Sequence, residues 1–205
     1  MTAPLGIEPA VLACIAAALV SAFSFCGTWW FGRRAVGYSH WRDTISELGA
    51  AGTKDARAVA WLWFAPSGLI FALAAVALGD AFGTDDARRA ASILAFVGGG
   101  WVGAAIFPCD KGAPTFGTVR NHLHNLLGGG AYLAGAAGLI EMARALEDSH
   151  CKLSMAAQAS GPVVLLGLFL ISFPELPGRG LIQRLMEVIL HGWLLAAAVV
   201  VVVSP

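Results

Sequence analysis

Six stretches of this chain are apolar for about 20 residues at a time, the length that crosses the hydrocarbon core of a bilayer. They run over residues 9–31, 58–78, 90–107, 121–142, 153–173 and 181–203, joined by short connections. Inside lipid a backbone must satisfy its own hydrogen bonds, and a helix does so within one segment. The pattern therefore predicts an all-α polytopic membrane protein, one domain over residues 1–205 built as a bundle of six transmembrane helices. Composition agrees: 58% of residues are hydrophobic and 13% charged, where a soluble domain carries about 25% charged residues. With a formal net charge of zero, no nucleic-acid partner is expected.

The first apolar run is read as a retained span. It has no basic lead-in, and Arg33 and Arg34 follow it instead of preceding it. Trp29-Trp30-Phe31 supplies an interfacial aromatic belt just before those arginines. Pro66 and Pro162 fall inside spans, where a freed carbonyl is tolerable only if neighbouring protein or water satisfies it. Gly99-x-x-x-Gly103 and a Gly130, Ala134, Gly138 stripe are expected to let helices approach closely, and such Gly-rich faces also suit a homo-oligomer. Cys14, Cys26, Cys109 and Cys151 show no CxxC spacing, so no disulfide framework is expected. Among the four, Cys109 alone sits beside ionisable residues.

With six spans, the first, third and fifth loops share one side and hold nine of the 13 Lys and Arg residues. The positive-inside rule then places those loops in the cytoplasm and both termini outside, in a bacterial inner membrane.

The same three loops carry the residues capable of chemistry. The first contains Tyr38–Gly49 (YSHWRDTISELG), which brings together His40, Arg42, Asp43, Ser46 and Glu47. Thr44-x-x-Glu47 matches a helix capping box and predicts a short interfacial helix from Ile45. Asp43 and Glu47 are four apart, so on a helix they share a face as a carboxylate pair beside Ser46, able to act as base and orienter or to bind a cation. The alternative is a capped helix whose charges pair with Arg42 and Arg57. The third loop supplies Asp110, and the fourth span opens with Arg120-Asn121-His122-Leu123-His124-Asn125. At 100° per residue His122 and His124 cannot both face one ligand, so one should face the pocket and the other the interface. Arg184, Glu187 and His191 stand at i, i+3 and i+7 on the sixth span. Ionisable groups within a span normally face the bundle interior. They form either a pocket wall or an interfacial Arg–Glu pair with a packing histidine.

The chain resembles the prokaryotic six-span family named domain of unknown function 998. The resemblance rests on Asp43-Thr44-Ile45-Ser46-Glu47-Leu48-Gly49 after the first span, Phe107-Pro108-Cys109-Asp110 after the third, His122 or His124 opening the fourth, and Gly180-x-x-x-Arg184 opening the sixth. It covers essentially the whole chain and implies a fold and a site without an activity. The chain is also distantly similar to DRAM- and FRAG-type membrane proteins, which carry an Ile-Ser-Asp-x-Gly loop after their first span; here Glu47 holds the acidic position and Leu48 precedes the glycine. That similarity implies a lipid substrate or ligand.

The expected function is thus a polar pocket at one bilayer face that binds, and in an enzymatic version processes, a membrane lipid. In that version Asp110, His122 or His124, and His191 hold a divalent metal such as zinc or transfer protons. Ser46 and Glu47 complete the catalytic set. Arg42, Arg120 and Arg184 hold an anionic head group, and Asp43 and Glu187 add ligand contacts. No HExxH, HxxxH, G-x-S-x-G, Walker or Rossmann motif is present. The alternatives are a small proton-coupled transporter, in which the same acids and histidines form a relay, and a non-catalytic scaffold.

Overall fold

The computed structural model describes residues 7–203. Among them are six helices long and apolar enough to cross a membrane: α1 (Pro9–Arg34), α2 (Ala56–Phe82), α3 (Asp85–Ile106), α4 (Val119–Ala145), α5 (Cys151–Ile171) and α6 (Arg179–Val203). The chain is an all-α polytopic membrane protein. Its helices run one to a few residues beyond most of the apolar runs, because capping residues extend them into polar sequence. Thr84 accepts from Ala87 N–H to start α3, and Thr118 accepts from Asn121 N–H to start α4. Gly83, at φ +78°, ends α2 in the left-handed conformation that glycine adopts without strain.

Each helix packs on its neighbours in sequence, α6 closes the ring against α1, and α2 touches α6 across the middle. α4 and α6 have almost no direct backbone contact; α5 bridges them. Leu19, Trp61, Leu69, Phe96, Leu126 and Phe169 are exposed on the outer faces, as a bundle surrounded by lipid requires.

Glycines set the closest crossings, though not at the expected pair. Gly99 faces outward into open space. Its neighbour Gly98 lies against Gly68 of α2, where a Cβ on either residue would strike the other's carbonyl oxygen. Gly100 and Gly103 face Ala131 and Leu127 of α4, and Gly138 lies on the backbone of Leu94. On α4 the buried small-residue stripe is Ala131, Gly135 and Gly138, not the Gly130–Ala134–Gly138 row, since Gly130 is exposed.

Pro66 is accommodated by a change of helix type. Just before it, Val59–Phe64 winds as a π-helix, and Ala65 N–H reaches back to the Ala60 carbonyl. A wide turn of this kind adds a residue and re-aims side chains. Here it turns Trp63 inward, where it is 1% exposed, stacks on Phe31 at 5.5 Å and meets Trp101 at 5.8 Å. Phe64 meets Trp101 edge-on at 5.2 Å. These rings form an aromatic floor beneath the first loop.

Replacing Gly98 with Leu should lower stability in detergent by about 1–3 kcal/mol or prevent assembly, because the added side chain collides with α2. Gly99→Leu, one residue away, should stay within about 0.5 kcal/mol of the parent. Thermal unfolding of the two variants side by side checks the assignment.

Candidate functional site

The first loop folds over the end of α6 and is fixed there by backbone. Trp41 and Arg42 carbonyls accept from Leu181 and Gly180 N–H at 3.1 and 3.3 Å, satisfying amides that a helix start leaves without partners. Position 180 must be glycine for this: a Cβ would run into the Asp43 carbonyl and lie 2.8 Å from that of His40. Ile45 N–H donates to Gln183 Oε1 at 2.6 Å. Ile45–Gly49 is a 3-10 helix, and Glu47 turns back on it, accepting from Thr44 N–H and the Thr44 hydroxyl at 2.9 and 3.1 Å. The expected capping role of Glu47 is realised on a tighter helix, and it keeps this carboxylate out of the cavity below.

The third loop docks on the first. Ala51 N–H donates to the Cys109 carbonyl at 2.9 Å, and the Cys109 thiol to the Ser46 carbonyl at 3.4 Å. Burial, reinforced by the Glu47 charge, pushes this thiol up to about 12, so Cys109 is an inert protonated thiol. Asp110 accepts from Thr118 N–H, the Thr118 hydroxyl and Arg120 at 2.8, 2.9 and 2.8 Å. Thr118 N–H first, and Arg120 with it, hold the Asp110 carboxyl below the usual range. Asp43 is held low in the same way by Arg42, at 2.6 Å, and by Ser39 N–H.

Beneath the two loops lies a cavity of about 220 Å³. Its polar lining includes Ser46, His124, Tyr132, Arg179, Gln183 and Glu187, and Gly128 and Gly129 form part of the α4 wall. A Cβ on Gly128 or Gly129 would meet no other part of the chain within 4 Å. These two glycines keep space open, unlike those at the helix crossings. His124 Nδ1–H donates to the Phe107 carbonyl at 2.9 Å, which leaves Nε2 without a partner among the described residues and available to a ligand.

A hydrogen-bonded chain crosses the deep wall. Gln183 Nε2–H donates to the Tyr132 hydroxyl at 3.1 Å, and that hydroxyl donates to Glu187 Oε1 at 2.5 Å. Glu187 Oε2 is buried with no hydrogen bond among the described residues, 3.4 Å from His191 Nδ1. His191 Nδ1–H donates to the Glu187 carbonyl at 3.0 Å, and the Ser24 hydroxyl donates to Nε2 at 3.2 Å. Beyond this wall lies a second cavity of about 300 Å³, lined by Ser24, Phe25, Thr28, Trp29, Arg184 and His191 among others; Ile45, Trp101 and Glu187 border both. Arg184 sits at this second cavity, donating to the Asp43 and Gly180 carbonyls at 3.0 and 2.7 Å and to the Tyr38 hydroxyl. Burial pushes the Tyr38 phenol up to about 12 against the pull of Arg184, so it keeps its proton.

The sequence-predicted residues thus separate into groups. Ser46, His124 and Glu187 line the first cavity, and Arg184, Glu187 and His191 the second. Arg42 with Asp43, and Arg120 with Asp110, are ion pairs that build the loops and line neither cavity. Of the two α4 histidines, His124 turns inward and His122 outward, beside Phe116. Among the described residues no three His, Cys, Asp or Glu side chains come close enough to hold a metal ion. Asp110, His122, His124 and His191 are not gathered, because Asp110 is held by the α4 start, His122 points away and His191 lies behind Glu187. Arg179, Gln183, Tyr132 and Trp101 line the cavity without having been singled out. Arg179, Gln183, Glu187 and His191 recur every four residues, and that period was the signal available for the first two.

Asp43 and Asp110 have lowered folded-state pKa values, so their contacts add stability above the usual carboxylate range and lose it as pH falls through the lowered values. The Asp110 contribution, read as the difference in melting temperature between the parent and Asp110→Asn, should be constant above about pH 5 and shrink below about pH 4. Thr118→Ala should cost about 1 kcal/mol through loss of the α4 cap. Thermal scans across pH test both expectations.

No curated protein matches the chain, and no solved structure does. The family model described as a protein of unknown function (DUF998) matches residues 15–200. That match spans nearly the whole chain, and the protein belongs to this family.

Proposed function

We propose that this integral membrane protein binds a lipid or comparable amphiphile in the cavity between α3, α4, α5 and α6. The observation that carries the reading is the Gly128–Gly129 wall. A membrane helix gains stability by packing, yet here α4 presents bare backbone to empty space between its own His124 and Tyr132, in a cavity that Gln183 and Glu187 of α6 also line. Ligand pockets combine such room and apolar surface with a few placed polar groups. Phe64, Val97, Ala104, Leu168 and Ile171 supply the apolar part. In this reading His124 Nε2 and Ser46 meet the polar part of the ligand, and the loops carrying most Lys and Arg face the cytoplasm of a bacterial inner membrane.

A second reading, a proton-coupled carrier, draws on the Ser24–His191–Glu187–Tyr132 chain, which joins the walls of two cavities. It predicts proton uptake by proteoliposomes that Glu187→Gln abolishes.

The first reading predicts that Gly129→Leu fills the cavity without harming the fold. Mass spectrometry of the detergent-purified protein should find one lipid class retained by the parent and reduced at least about tenfold in the variant, roughly 1.4 kcal/mol of binding, at unchanged melting temperature. Equal, unselective lipid in both would defeat it.

A further inference from the structure

Arg179 is the first residue of α6 and is 9% exposed. Among the described residues its guanidinium makes one hydrogen bond, from Nη2–H to the Ala113 carbonyl at 3.1 Å, and its buried Nε has no partner. No carboxylate among the described residues lies within salt-bridge distance of it. The nearby acids are committed elsewhere: Asp110 holds Arg120, and Asp43 holds Arg42. Glu187, on the same cavity, is eight residues further along α6, about 12 Å at 1.5 Å per residue.

Arg179 is thus a buried cation without a counter-ion among the described residues, and a buried charge is costly unless paired. Its position adds to the cost, since a helix start carries partial positive charge that favours anions and disfavours cations. The first α6 amides are already taken by the Trp41 and Arg42 carbonyls, so they do not serve a ligand. The side chain lines the 220 Å³ cavity. Its place there makes sense when an anion arrives.

We infer that Arg179 binds the anionic group, a phosphate or a carboxylate, of the ligand in this cavity. The inference rests on the amphiphile reading and adds a substrate class to it. The charged group lies at the loop end beside Arg179, and the apolar part runs past Gly128, Gly129 and Leu168. Arg42 and Arg120, already neutralised, take no part in holding it. A guanidinium donates two parallel hydrogen bonds to a phosphate or carboxylate, which gives orientation as well as affinity.

The test measures binding to the full chain in detergent, by native mass spectrometry and thermal shift. The probes are a monoacyl glycerol phosphate, the monoacylglycerol of the same chain length, and inorganic phosphate. The parent should prefer the phosphate amphiphile over its neutral counterpart by about tenfold or more, as expected for a charge-assisted pair. Arg179→Gln should bring that ratio close to one while neutral-probe binding persists, and Arg179→Lys should retain part of it. Without ligand, Arg179→Met should melt above the parent, because it removes an uncompensated buried charge. A ratio unchanged in Arg179→Gln overturns the inference and leaves the amphiphile reading standing, provided Gly129→Leu still weakens both lipid probes. Phosphate binding that depends on Arg179 with no gain from the acyl chain supports the anion site and overturns the amphiphile reading. Neither probe nor phosphate binding the parent overturns both.

Discussion

The loop end of this bundle depends on the backbone contact between its first loop and the start of α6. Within a bilayer an unsatisfied amide costs several kcal/mol, and a helix that begins near the membrane face has amides to satisfy. Here the loop supplies the acceptors, through the Trp41 and Arg42 carbonyls. Gln183 then works in both directions, accepting from Ile45 N–H and donating to Tyr132. One side chain therefore connects the loop, α6 and α4. The cavity exists because α4 and α6 are joined through such side chains and not through packed backbone.

Charge at this end is divided between two tasks. The carboxylates of Asp43, Glu47 and Asp110 are consumed locally, fastening loop backbone and capping helix starts. Two arginines go with them as partners. Arg179 and Arg184, by contrast, are held by neutral acceptors: a carbonyl for the first, two carbonyls and a phenol among those of the second. These two guanidinium groups, without a carboxylate partner among the described residues, stand one at each cavity. Cys109, walled in between the loops, contributes a small apolar contact with Ala50 and Ala113.

The fold was legible because membrane spans announce themselves by length and apolarity, and the six runs map onto six helices. The gathering of the first, third and fifth loops at one end followed from counting. What each polar residue does there was harder to read. Asp110 and Glu47 looked like chemistry because they are acids in an apolar chain, yet a carboxylate that caps a helix has the same one-letter signature as one that acts on a substrate. Arg179 was passed over because residues 174–180 read as loop, which hid the four-residue period it shares with Gln183, Glu187 and His191; Gln183 lies inside the sixth run but carries no ionisable group. Glycines posed the same ambiguity: Gly98 and Gly129 are alike in sequence, and only the neighbour across the gap separates a close crossing from a cleared space. The inward choice of His124 over His122 was foreseen as a choice but not as to which.

The π-helical stretch before Pro66 gives α2 a spare residue. A membrane helix ordinarily cannot change length by one, since every side chain on one side of the change would turn by about 100°. Val59–Phe64 already holds such an insertion in register with its surroundings. Closing the wide turn into ordinary α geometry would leave the Gly68–Gly98 crossing in place and rotate the short stub Ala56–Ala58, and with it the end of the first loop. The wide turn thus lets the stub below the first loop and the rest of α2 each keep its own helical phase. The direction in which the chain leaves the first loop for the membrane is set by one turn of helix.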